Sequence, residues 1–128
     1  MESGAIPNAK VTASSMWDAN HAPGQGRLNF QETAVKSGAW AARQNNNNQW
    51  LQVDLGTPGT IVRRIATQGR NDNGNWHSGA HSQWVTNYQL QYSEDGLNFQ
   101  YYKEKGQANA KVNISFCTNF GQSPLNIT

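Results

Sequence analysis

Apolar and polar positions alternate in several short stretches of this chain. Residues 49–56, QWLQVDLG, place Leu51, Val53 and Leu55 on one side and Gln52 and Asp54 on the other. A period of two is the mark of a half-buried strand. Residues 84–93 repeat it, with Tyr88, Leu90 and Tyr92 opposite Asn87, Gln89 and Gln91. Residues 60–68 carry the β-branched Ile61, Val62 and Ile65, which suit a pleated surface. Shorter strands are predicted at residues 10–14, with Val11 and Ala13 on one face, and at residues 98–102. A last one is predicted where Val112, Ile114 and Phe116 alternate with polar neighbours.

Turn residues separate these stretches. Thr57-Pro58-Gly59 and Glu94-Asp95-Gly96 each fit a tight reversal. Residues 15–28, SMWDANHAPGQGRL, form a loop broken by Pro23, Gly24 and Gly26. Residues 37–40, SGAW, read as a turn into a short strand, and the four asparagines at 45–48 read as an exposed turn. No stretch keeps a helical period. The expected class is all-β, an antiparallel sandwich or barrel.

Composition narrows this picture. With 128 residues the chain has room for one domain, and a domain of this size buries roughly two-thirds of its unfolded surface. Only 14% of residues are charged, so the polarity comes from amides, hydroxyls and glycine. Five Trp, four Tyr and four Phe supply a β core, which argues against disorder. The net charge of +2 is scattered, and no nucleic-acid partner is expected. No apolar run approaches the roughly 18 residues of a spanning helix. Residues 1–20 lack the apolar core of a signal peptide. Cys117 has no second cysteine with which to form an internal disulfide.

At this point the ordered pieces resemble a known family, the discoidin domains, also called coagulation factor V/VIII type C domains. The pieces are MESGAIPNAKVTASS at residues 1–15, SGAW at 37–40, QWLQVDLG at 49–56, IATQGR at 65–70, QWVTNYQLQYSEDG at 83–96 and NFQYY at 98–102. The resemblance implies a discoidin-like jelly-roll β-sandwich whose loops at one end form the binding surface. It places the whole chain, residues 1–128, in a single domain that is family-like over 1–111 and divergent over 112–128. After Lys111 the family's closing strands are expected to be missing, and so are its terminal cysteines. Lost strands would expose edges and core side chains and lower the stability of the domain. The resemblance also implies an extracellular or cell-surface setting, as part of a larger secreted protein.

The residues give no sign of catalysis. No two carboxylates have the spacing of an acid–base pair, and no nucleophile elbow, phosphate loop or HExxH pattern is present. No cofactor is expected. Some discoidin-like carbohydrate modules hold a structural calcium ion, but no dense oxygen pattern stands out here.

Two loops hold the candidate ligand residues. The first supplies Met16, Trp17, Asn20 and His21, flanked by Arg43. The second supplies Arg70 at its start, then Asn71, Asp72, Asn75, Trp76, His77 and His81. For Met16 and Trp17, packing into the core or within the loop is the default expectation and projection toward a ligand or membrane is the alternative. The projecting parts of these loops, residues 16–26 and 71–82, contain no Lys or Arg, although Arg27, Arg43 and Arg70 flank them. That neutrality favours a cell-surface glycan or glycoprotein, held by amides and imidazoles against an aromatic face. The first alternative is phosphatidylserine-dependent membrane binding, with apolar tips inside a basic collar. A protein partner, receptor or matrix, is the second alternative.

Overall fold

The computed structural model describes residues 3–70, 83–103 and 105–109, together with the backbone of 112–114. Its strands, numbered in chain order, are β1 Val11–Ala13, β2 Leu51–Val53, β3 Asn87–Gln89, β4 Gln91–Tyr92, β5 Gln100–Tyr101 and β6 Val112–Ile114. Each pairs antiparallel in a two-stranded unit: β1 with β2, β3 with β6 and β4 with β5. β1 and β2 meet in the register Val11↔Val53, which brings the N-terminal segment against the QWLQVDLG stretch. The ladder continues through Ser14 N–H, which donates to Trp50 O at 3.0 Å. Three short 3-10 turns, Asn8–Lys10, Ala19–His21 and Pro23–Gly26, add the only helical backbone among the described residues.

Two predicted strands come out differently. Residues 60–68 form no strand, and Ile61 and Val62 are exposed at 78% and 54%. β-branched composition favours an extended chain, but a strand also needs a partner for its amides, and none of the described strands pairs here. The stretch at 84–93 is interrupted at Leu90, whose carbonyl accepts from Tyr102 N–H at 2.9 Å.

Residues 37–40 are fully buried without forming a strand. Here SGAW works as a plug. Trp40 is 4% exposed and donates its indole N–H to Ser15 O at 2.9 Å. Ala39 and Val11 complete the buried apolar set among the described residues. Arg27 is buried beside them. Its guanidinium donates to Asn8 Oδ1 at 2.9 and 3.2 Å and to Ile6 O. A Cβ at Gly24 would lie 2.9 Å from the Asn8 side chain that Arg27 holds, so this close approach requires glycine.

An open trough of about 3390 Å³ is lined by residues 50–65 and by much of residues 85–103. Trp50, Leu55, Tyr92, Phe99 and Tyr101 on its walls are all exposed. Leu55 and Tyr92, which alternation assigns to a core face, therefore stand in solvent.

The β4–β5 hairpin is closed by one carboxylate. Asp95 accepts from the backbone N–H of Leu97 and Asn98, from the Asn98 side chain and from Ser93 Oγ, at 2.6–2.8 Å. The Asn98 and Leu97 amides are the main reason its pKa lies well below the ordinary 3.8. A carboxylate depressed in the folded state gives its full contribution above that ordinary value and loses it as pH falls through the folded one. Hydrogen exchange at the Leu97 and Asn98 amides is therefore expected to accelerate, beyond its intrinsic trend, only well below pH 3.8. Asp95→Asn should give fast exchange already at neutral pH.

Candidate functional site

Several segments converge at one end of the fold, beyond the C-terminal end of β1. The first is the loop that starts at Ser15. Trp17 N–H donates to Ala41 O at 2.8 Å, Ser37 N–H to Asn20 O at 2.7 Å and Ala41 N–H to His21 O at 3.4 Å. These bonds seat residues 17–21 on the buried plug, with a fixed backbone beneath the side chains.

On that base Met16 is 45% exposed and Trp17 is 64% exposed. Packing into the core, part of the default expectation for both, is overturned. The plug position is already filled by Trp40, whose indole nitrogen bonds Ser15 O one residue before Met16. Asn20 is exposed, and its backbone N–H donates to Asp18 Oδ1 at 2.8 Å. His21 is half-buried, with Nδ1 at 2.7 Å from the same oxygen. The His21 hydrogen bond is the main influence that lowers the Asp18 pKa. Asp18 and His21 are thus paired with each other through Asp18 Oδ1.

The second segment is the asparagine turn, exposed as expected. Asn46 Oδ1 accepts from Asn48 N–H at 3.0 Å and from Gln49 Nε2 at 2.8 Å. Gln49 Oε1 in turn accepts from Ser14 Oγ at 2.8 Å and Ser15 Oγ at 2.6 Å. Arg43 N–H donates to Ser15 Oγ at 3.0 Å, which places the exposed Arg43 beside the Met16–Trp17 tip.

The third segment is the neck from which residues 71–82 depart. Arg70 N–H donates to Gln83 O at 2.9 Å, and a Cβ at Gly69 would approach that same oxygen to 3.1 Å. The Arg70 guanidinium pairs with Glu32 Oε1 at 2.9 Å and reaches Gln83 Oε1 at 3.3 Å. Its side chain is only 11% exposed. The structure therefore places Arg70 in the neck, as a brace, and not on the projecting surface. Asn71, Asp72, Asn75, Trp76, His77 and His81 lie outside the described residues.

A fourth segment escaped the sequence reading. Thr33 N–H donates to Lys36 O at 2.8 Å and Lys36 N–H to Thr33 O at 3.4 Å, which makes residues 33–36 a tight turn. Val35 at its apex is 66% exposed. No alternation or turn dipeptide in ETAVK marks it.

Among the described residues, no cluster of three or more His, Cys, Asp or Glu side chains occurs, so they offer no carboxylate-rich cage for calcium. None of their helices is long and apolar enough to cross a membrane.

A β scaffold that presents braced polar loops and an exposed aromatic tip at one end defines a binding module of the discoidin class. The comparisons agree: the F5/8 type C domain matches over residues 10–122, and the chain belongs to that family. The match runs beyond Lys111, after which the sequence predicts divergence. The chain is 39% identical to coagulation factor V of Sus scrofa over 116 residues, 88% of this chain and 5% of that protein. It is 36% identical to lactadherin of Rattus norvegicus over 112 residues, 83% of this chain and 24% of that protein. It thus spans a quarter or less of the length of these relatives. Discoidin II of Dictyostelium discoideum superposes with a TM-score of 0.64 at 24% identity, over 92% of this chain and 42% of that one, and shows the discoidin-like β-sandwich. The family is one of non-catalytic binding modules, and no enzyme family is indicated.

Proposed function

We propose that this domain serves a larger extracellular or cell-surface protein as an adhesion module, and that its loop end binds anionic phospholipid surfaces. The observation that carries this reading is the exposed Met16–Trp17 tip on a hydrogen-bonded base. Two adjacent apolar side chains held out in water gain free energy on entering a bilayer interface, at about 25 cal/mol per Å² buried. Lys36 and Arg43 stand exposed on the neighbouring turns, and each basic residue near an anionic surface adds about 1 kcal/mol. No nucleic acid, cofactor or metal takes part in this reading.

The glycan reading keeps one observation in its favour. Trp17 offers an indole face close to the exposed amide of Asn20. A sugar ring uses that pairing, but it has no use for the neighbouring Met16. Asp18 and His21, which would add polar contacts, are bonded to each other.

Sedimentation with phosphatidylcholine vesicles, with and without phosphatidylserine, tests the proposal when run beside a glycan array. Pelleting that needs phosphatidylserine and weakens with salt is expected. Array binding without pelleting would replace the lipid by a glycan or glycoprotein.

A further inference from the structure

The open trough is lined by two stretches, residues 50–65 and much of residues 85–103. At about 3390 Å³ it is several times larger than the ~300–1,000 Å³ of a small-ligand pocket, and a macromolecular surface suits it better. Trp50, Tyr92, Phe99 and Tyr101 stand there about half exposed. These four alone present roughly 300–500 Å² of aromatic surface. Ile61 and Val62 extend it. A monomeric protein rarely leaves more than a few hundred Å² of contiguous apolar surface in water. With its polar margin this face reaches the size of a standard protein interface, about 800 Å² per partner.

The backbone is open as well. Residues 61–65, IVRRI, favour an extended chain and join none of the described ladders. Unladdered extended backbone of this kind can pair with another chain.

Charge selects the occupant. Arg63 and Arg64 stand exposed on one stretch, and Glu94 stands exposed on the other. None of the three joins an ion pair among the described residues. A partner of one sign would leave one side unmatched, whereas a second copy brings the missing sign to both at once. A twofold axis running along the trough lays residues 50–65 of one protomer over residues 85–103 of its partner, and the reciprocal contact follows by symmetry.

We propose that the trough is the interface of a homodimer, in which Ile61 and Val62 of each protomer pack on the aromatic stretch of its partner while Arg63 and Arg64 face Glu94. This dimer stands whatever the loop end binds.

Sedimentation velocity on the full chain tests it. The parent is expected to pass from monomer to dimer as its concentration rises through the micromolar range. Ile61→Asp is expected to raise the dimer dissociation constant about a hundredfold, because a twofold interface loses the contact twice. Ile61 is 78% exposed, so the replacement leaves the fold of the protomer in place. Two charge variants complete the test, Arg63→Glu combined with Arg64→Glu, and Glu94→Arg. Each alone is expected to be monomeric where the parent is dimeric. Their equimolar mixture should restore the dimer, since each chain then offers the sign the other lacks, a recovery that misfolded chains cannot give. A parent that stays monomeric at every concentration, or a dimer that these variants leave unchanged, overturns the inference. Weakening by the charge variants without recovery on mixing overturns it too.

Discussion

Trp40→Ala is expected to remove about 3–5 kcal/mol of stability, the usual cost of truncating a buried aromatic residue to alanine. Small domains hold only about 5–15 kcal/mol in total. Here the margin is narrower, because Val11 and Ala39 are the other buried apolar side chains among the described residues. The variant should lose its cooperative thermal transition, followed by far-ultraviolet circular dichroism. Trp40→Phe separates the two roles of the indole. It keeps most of the ring volume and loses the N–H that bonds Ser15 O. Leaving that carbonyl unpaired costs about 1–3 kcal/mol, so Trp40→Phe should melt between the parent and Trp40→Ala. If Trp40→Ala instead melts within a few degrees of the parent, residues 37–40 are not the plug that seats the binding loop.

The reach of sequence reasoning differs between elements for physical reasons. β1, β2 and the β4–β5 hairpin were legible because alternation and turn chemistry act within a few residues. Glu94-Asp95-Gly96 shows it best: the turn is closed by bonds between residues 93 and 98, all local. Residues 60–68 have the same local preference for extension but form no strand, because pairing is decided by residues far along the chain. Residues 37–40 show the converse. Their burial depends on Ser15 and Asn20, about 20 residues away, and no period announces it.

The site follows the same division. The family-like flanks marked the loops after β1 as the candidates for binding residues. Which side chains stand free was not legible there. His21 looks available in sequence and is paired with Asp18, and Arg70 looks like a ligand base and braces Glu32. Met16 and Trp17 look like core and are exposed. A partner three residues away decides the role of His21, one distant in sequence that of Arg70, and a core position already filled by Trp40 that of Met16 and Trp17. The neutrality of the two loops argued for a glycan; Arg43 was already a flank in sequence, and the fold adds the exposed Lys36 on the turn tied to Asn20.

Trp17→Ala is expected to lower affinity for phosphatidylserine vesicles about a hundredfold while leaving the fold intact. A tryptophan carries roughly 150–250 Å² of buriable surface. With 64% of it facing solvent, membrane entry is worth about 3 kcal/mol at ~25 cal/mol per Å², and about 1.4 kcal/mol corresponds to a factor of ten. Stability should move by no more than about 0.5 kcal/mol, as for other exposed sites, because the Trp17 backbone bond to Ala41 survives the substitution. Salt dependence then assigns the effect. Insertion of apolar surface is not screened, whereas attraction by Arg43 and Lys36 fades once the Debye length drops to about 3 Å near 1 M salt. The Trp17→Ala deficit should therefore persist between 0.1 and 1 M salt, on the order of the same ratio, while an Arg43→Ala deficit should vanish. A Trp17→Ala deficit that disappears with salt would mean the indole orders the basic collar instead of entering the bilayer.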